Sequence, residues 1–175
     1  MKNFVLLVVL VFCISEKTQA QDDWQIGLGV AVVKIPQESI DFVGDQYLYQ
    51  IPRLSITKKI NERFSASGAI SFNTIERIGT AVNDTNYFSI DSFLRYSLIK
   101  NSNFLNPYVF VGASLVSVNI NFTPAINFGV GNTFWISKNF GMNGQAMYKI
   151  SEEHVSHFQI TGGFVYNLSS GRKNF

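Results

Sequence analysis

The sequence predicts an all-β protein: an eight-stranded antiparallel up-and-down β-barrel of the transmembrane kind. Three observations lead there. Apolar and polar residues alternate with a period of two from one end of the chain to the other, which is the signature of strands with two unlike faces. The intervals between these strands are alternately short and longer, as in a meander of hairpins. The chain also opens with a segment of the type that directs export.

With 175 residues, length favours one domain. Charged residues make up 15% of the chain, well under the roughly 25% of an average soluble protein. Aromatic residues reach 14%, which disfavours a disordered chain. The formal charge of +2 points to no polyanionic partner, so no nucleic acid is expected. The single cysteine, Cys13, rules out a disulfide framework and a cysteine zinc site, since both need several thiolates at defined spacing. No cofactor and no metal are expected.

Lys2, the apolar run 4–14 and the small-residue boundary Thr18, Gln19, Ala20 follow the order of a secretory signal peptide. The run is too short for the ~20 residues of a membrane-spanning helix. Phe12 stands before Cys13 where lipoprotein processing would want a small residue, so Cys13 reads as part of the apolar run. Residues 1–20 are thus expected to be a signal peptide, 21–168 the barrel and 169–175 a short tail.

The first strand puts Trp24, Ile26, Leu28, Val30 and Val32 on one face and Gln25, Gly27, Gly29, Ala31 and Val33 on the other. In the second, about 52–58, Leu54 and Ile56 oppose Arg53, Ser55 and Thr57, while Tyr47, Tyr49 and Ile51 precede on the other parity. That slip predicts a bulge near Pro52, because one added residue reverses all later facings. The third strand sets Phe64, Ala66, Gly68, Ile70 and Phe72 against Ser65, Ser67, Ala69 and Ser71. The fourth sets Phe88, Ile90, Leu94, Tyr96 and Leu98 against Ser89, Asp91, Arg95 and Ser97, with Ser92 and Phe93 as exceptions.

The fifth strand, 108–118, is apolar on both faces and its facing stays open. In the sixth, Ile126, Phe128, Val130, Phe134 and Ile136 oppose Asn127, Gly129, Gly131 and Thr133; Asn132 and Trp135 break the pattern. The seventh divides Phe140, Met142, Ala146, Tyr148 and Ile150 from Asn143, Gln145 and Lys149. The eighth divides Phe158, Ile160, Phe164, Tyr166 and Leu168 from Gln159, Thr161, Gly163 and Asn167.

Links 58–63, 99–106 and 137–139 are short or polar, whereas 35–46 and 75–86 are longer, and 119–123 and 151–156 fall on the same side as the long pair. An even strand number then leaves both termini on the short-turn side, as in bacterial outer-membrane barrels, where that side is periplasmic. A soluble barrel of the same size would hold its apolar face inside. Alternation alone does not separate the two. Large apolar residues on nearly every strand, more than a small lumen holds, favour an outward apolar face. So do the short polar residues opposite them, and aromatics near strand ends: Trp24, Phe64, Phe72, Phe88, Tyr96, Tyr108, Phe140, Tyr148, Phe158 and Tyr166.

The stretches 128–149 and 157–168, together with Asn106, Pro107, Tyr108, Val109, Phe110, Val111 and Gly112, resemble the OmpA-like outer-membrane β-barrel domain family. The likeness spans 23–168 and implies a lone barrel in the bacterial cell outer membrane, in contact with outer-membrane lipid, with periplasmic termini. It also implies that Gly163, Tyr166 and Leu168 form a final-strand signal read by the barrel-assembly machinery. Two features depart from the family: the last strand ends in Leu168 instead of an aromatic, although Phe175 closes the chain, and no part of these residues is expected to form the peptidoglycan-gripping domain of two-domain relatives, about 100 residues. Cell-wall anchoring is not carried over.

The charges expected inside are Arg53, Asp91, Arg95 and Lys149, read as a lumen polar network. Asp91 and Arg95, four residues apart, are too distant for direct contact along one strand, so partners must come from neighbouring strands. Eight strands leave an interior just filled by side chains, which disfavours a wide pore. The run Glu152, Glu153, His154, Val155, Ser156, His157 is the one cluster with catalytic residue types; it lacks a fixed third partner and sits in a loop. Gly27, Gly29, Gly129 and Gly131 mimic a nucleotide fingerprint but precede no helix, so they are assigned to sheet curvature. The expectation is a non-catalytic outer-membrane barrel with a structural or surface-interaction role. A narrow ion channel is the alternative, and a lipid A-modifying enzyme a weaker one. No extracellular ligand is legible.

Overall fold

The computed structural model describes residues 24–35, 46–72, 77–78, 81–82, 87–100, 104–118, 121–151 and 156–168. The expected signal segment 1–20 and tail 169–175, and residues 152–155 with His154, lie outside the described residues. Among the described residues there are ten strands: β1 (Trp24–Ile35), β2 (Gln46–Lys59), β3 (Phe64–Phe72), β4 (Arg77–Ile78), β5 (Ala81–Val82), β6 (Tyr87–Ser97), β7 (Leu105–Val118), β8 (Asn121–Trp135), β9 (Phe140–Ile150) and β10 (His157–Asn167).

Eight of them close into an antiparallel barrel in the order β1-β10-β9-β8-β7-β6-β3-β2, each strand beside its neighbours in the chain. The expected fold class is what is observed. Closure gives every interior strand two hydrogen-bonding neighbours, the condition for a sheet surrounded by hydrocarbon. β4 and β5 form a separate hairpin inside the expected link 75–86. The link expected on that side at 119–123 is shorter than those bounds, because β7 and β8 stay paired up to Val118 and Asn121.

The register supplies the bulge near Pro52. Gly29 faces Arg53 and Ala31 faces Gln50, so Ile51 and Pro52, joined by a cis peptide bond, oppose Val30 alone. The short turns follow from their polar residues. Asn61 Oδ1 accepts the backbone N–H of Arg63 at 2.9 Å and of Phe64 at 2.8 Å, and Ser137 Oγ accepts that of Phe140 at 3.1 Å. At the closing seam the Leu168 N–H donates to the Trp24 carbonyl at 2.8 Å.

The facing of the side chains decides between lipid and water outside. Ile26, Leu28, Leu54, Ile56, Ile90, Leu94, Phe128, Val130, Ile160 and Phe164 all stand exposed on the outer wall. On β7, whose facing was open, Val109, Val111 and Leu115 point outward, and Tyr108, Phe110, Ser114 and Val116 are buried. Outside the lumen, aromatic contacts gather toward the two rims. Phe64 meets Tyr96 at 5.2 Å, Phe104 meets Phe134 at 4.3 Å and Phe140 meets Phe164 at 5.5 Å on the short-turn side, with Phe72 on Phe88 at 5.6 Å on the other.

Tyr108 corrects the expected girdle: it is buried in the lumen. The interior is also less uniformly polar than expected, because Ala69, Phe93, Tyr108, Phe110 and Met147 form an apolar cluster there. Room for the rings comes from glycine. Phe93 lies opposite Gly112, Phe110 opposite Gly129, Tyr108 opposite Gly131 and Trp135 opposite Gly141. A Cβ on Gly129 would come within 2.7 Å of the Phe110 ring, and one on Gly131 within 2.5 Å of the Tyr108 ring. Gly129 and Gly131 therefore serve close packing as well as the curvature first assigned to them.

Candidate functional site

The bulge on β2 and the antiparallel register bring Arg53, Asp91 and Lys149 together in the lumen, although they stand on β2, β6 and β9. Arg53 Nη1 donates to Asp91 Oδ2 at 2.7 Å and to Ser71 Oγ at 2.7 Å. From the opposite wall Lys149 Nζ donates to Asp91 Oδ1 at 2.7 Å. The Ser114 hydroxyl donates to that same Oδ1, and Asn127 Nδ2 donates to Ser114 Oγ. One carboxylate thus gathers side chains from β2, β3, β6, β7, β8 and β9 across the full width of the barrel.

Burial is nearly complete: Asp91 is 1% exposed and Lys149 0%. Charges so withdrawn from water persist only when paired and hydrogen-bonded, and here both carboxylate oxygens are engaged. Gln159 Nε2 donates to Gln50 Oε1 at 3.1 Å, and Thr57 pairs with Ser67 at 2.7 Å, adding further rungs within the lumen.

Arg95 does not join this group. Its guanidinium lies 4.8 Å from the centroid of the Tyr108 ring, a cation–π contact, and its Nη2 is 3.5 Å from Gln145 Oε1. The Tyr108 hydroxyl donates to Gln145 Oε1 at 3.2 Å and accepts from Asn143 Nδ2 at 2.8 Å. Tyr108 and Ser114 were not identified from sequence because β7 is apolar on both faces. The one available signal was parity: Ser114 shares a face with Tyr108, Phe110 and Gly112, and Gly129 and Gly131 stand across from that face on β8.

The residues of the expected final-strand signal divide between faces. Tyr166 and Leu168 stand on the outer wall, while Gly163 faces Gly29 across the seam where β10 meets β1. Of the loop cluster with catalytic residue types, Ser156 and His157 are described; Ser156 is half-buried and His157 is buried at the start of β10.

Neither a family model nor a curated protein matches the chain. Solved structures do. The N-terminal β-barrel domain of OprF from Pseudomonas aeruginosa is similar with a TM-score of 0.63 at 14% identity, over 86% of this chain and 100% of that one. The outer membrane protein OprG of the same organism gives 0.64 at 12% identity, over 85% and 97%. Ail, the attachment invasion locus protein of Yersinia pestis, gives 0.59 at 14% identity, over 85% and 99%. At these identities the likeness extends to the fold, and the fold of this chain is that of the eight-stranded bacterial outer-membrane β-barrels.

Proposed function

We propose that this protein is an integral barrel of the bacterial outer membrane, its termini periplasmic, with a structural or surface-interaction role and no catalytic one. The observation that carries the reading is orientation: large apolar side chains face outward around the wall while the lumen is spanned by the Arg53, Asp91 and Lys149 group. A water-soluble barrel would leave Ile126 at 63% exposure and Val130 at 58% in contact with solvent, amid a continuous apolar band. Outer-membrane lipid is the partner this wall fits. During insertion the barrel-assembly machinery would read the strand carrying Gly163, Tyr166 and Leu168.

The surface-interaction role draws on the longer links expected at 35–46 and 75–86. Ail, of the same fold, is named for an attachment invasion locus, and one of its structures is a complex with the heparin analogue sucrose octasulfate. Membrane fractionation with heat-modifiable gel mobility tests the first part: the unheated protein runs as a compact species in the outer-membrane fraction. Deleting residues 36–45 tests the second, and unchanged surface binding and envelope integrity would count against it.

The narrow-channel reading draws on the surplus of positive charge in the lumen. Planar-bilayer recording of the purified barrel with no conductance above background removes it. For the weaker enzyme reading, unaltered lipid A mass spectra on overexpression or in His154→Ala are the decisive negative.

A further inference from the structure

The buried charges of the lumen do not balance. Among the described residues Arg53, Arg95 and Lys149 are buried cations, and Asp91 is the buried carboxylate. Asp91 is held by Arg53 and Lys149, each at 2.7 Å. Arg95 has no carboxylate within ion-pair distance among the described residues. A neighbouring ring and a neutral amide lessen the cost of burying its charge without cancelling the charge.

Both arginines also keep a donor turned away from any protein acceptor. Arg53 Nη2 and Arg95 Nε are buried and make no hydrogen bond. Such orphan donors are rare and call for a water or an ion. The two residues line one small cavity of about 30 Å³, together with Ser55, Asn143, Gln145 and Thr161. Its remaining wall is the seam at Gly27, Gly29 and Gly163, and no carboxylate lines it. The glycines keep that wall bare: a Cβ on Gly29 would come within 2.9 Å of the Gly163 Cα.

We propose that this cavity binds a small inorganic anion of the halide class, chloride under ordinary conditions, between Arg53 and Arg95. The volume exceeds the roughly 10–15 Å³ one water requires, so a single ion has room in place of that water. Charge decides between water and ion. A water satisfies the orphan donors and leaves both surplus charges in place, whereas a halide satisfies the donors and offsets one of the two. The site is independent of conduction, and of the surface role proposed above.

Bromide is the probe. The full mature chain, refolded in detergent and crystallised with sodium bromide replacing chloride, is expected to show an anomalous peak within hydrogen-bond reach of Arg53 Nη2 and Arg95 Nε. In solution, its urea-unfolding midpoint is expected to rise with the logarithm of sodium chloride concentration, relative to sodium gluconate at equal ionic strength. Arg95→Gln is expected to abolish both signals. Should that variant fail to fold, Ser55→Val, which leaves every ion pair in place, is expected to weaken both. Water density without an anomalous peak overturns the proposal. So do a peak that survives Arg95→Gln and midpoints that agree in chloride and gluconate.

Discussion

The two faces of β8 obey different rules. Outward, Ile126, Phe128 and Val130 are exposed to whatever surrounds the barrel, and among the described residues Phe128 has only the Tyr148 ring of the next strand at 6.0 Å as an aromatic neighbour. Inward, Asn127 donates to Ser114, Gly129 lies beneath the Phe110 ring and Gly131 beneath the Tyr108 ring. The outer face constrains composition, since any large apolar side chain suits fluid hydrocarbon. The inner face constrains identity, because each position answers to one neighbour in a packed space where a misfit of one methyl group is felt.

The strongest break of the inner rule is Asp91→Asn. It leaves Arg53 and Lys149 as buried cations without their shared anion, for which a loss of about 3–5 kcal/mol is expected. Urea unfolding of the variant in detergent micelles or lipid vesicles measures it. The outer rule breaks with a change of polarity instead. Val111→Arg, mid-strand on β7 and exposed, is expected to cost about 2–4 kcal/mol in a bilayer and far less in a soluble setting. Val111→Leu is expected to be neutral. An equal penalty for Arg and Leu at this position would show that the wall does not face lipid.

Glycine sharpens the comparison without any charge. Gly129→Ala puts its Cβ 2.2 Å from the Ala146 carbonyl as well as against Phe110, so a cost of about 1–3 kcal/mol is expected as the lumen repacks. Gly144 and Gly162 face outward and face each other, and an added Cβ meets nothing within 4 Å at either. Alanine there is expected to be neutral, or stabilising by up to about 1 kcal/mol through the unfolded chain. Urea-unfolding midpoints of the three variants test the order.

These rules explain what was legible in the sequence. Period two reveals a strand wherever its faces differ in polarity, which holds for β3 and β10 and for most of β1 and β9, where Val33 and Met147 are apolar residues turned inward. It fails on β7 because Tyr108, Phe110 and Val116 fill the lumen with the same residue types that coat the outside. Phe93 and Trp135 break their patterns for the same reason: each is an inward ring resting on a glycine of the next strand. Parity selected Arg53, Asp91, Arg95 and Lys149 as inward residues, but not which of them meet. Asp91 and Arg95 share a face yet sit about 13 Å apart along β6. The partners of Asp91 come from strands whose relative register depends on turn lengths and on the bulge at Ile51 and Pro52, and neither is a matter of alternation.

The smallest effect is the most discriminating. Tyr108 and Tyr148 are both tyrosines on barrel strands, one buried in the lumen and one exposed on the outer wall. Tyr108→Phe removes the hydroxyl that accepts from Asn143 at 2.8 Å and donates to Gln145 at 3.2 Å, while the ring stays under Arg95 and against Gly131. A loss of about 1 kcal/mol is expected, the net worth of a buried hydrogen bond whose partners keep other contacts. Tyr148→Phe is expected to stay within about 0.5 kcal/mol of the parent, since a surface change away from such features does little. If the two variants lose the same stability, the inner face is no more particular about identity than the outer one, and the distinction between a packed lumen and a merely apolar wall fails at the residue where it is easiest to measure.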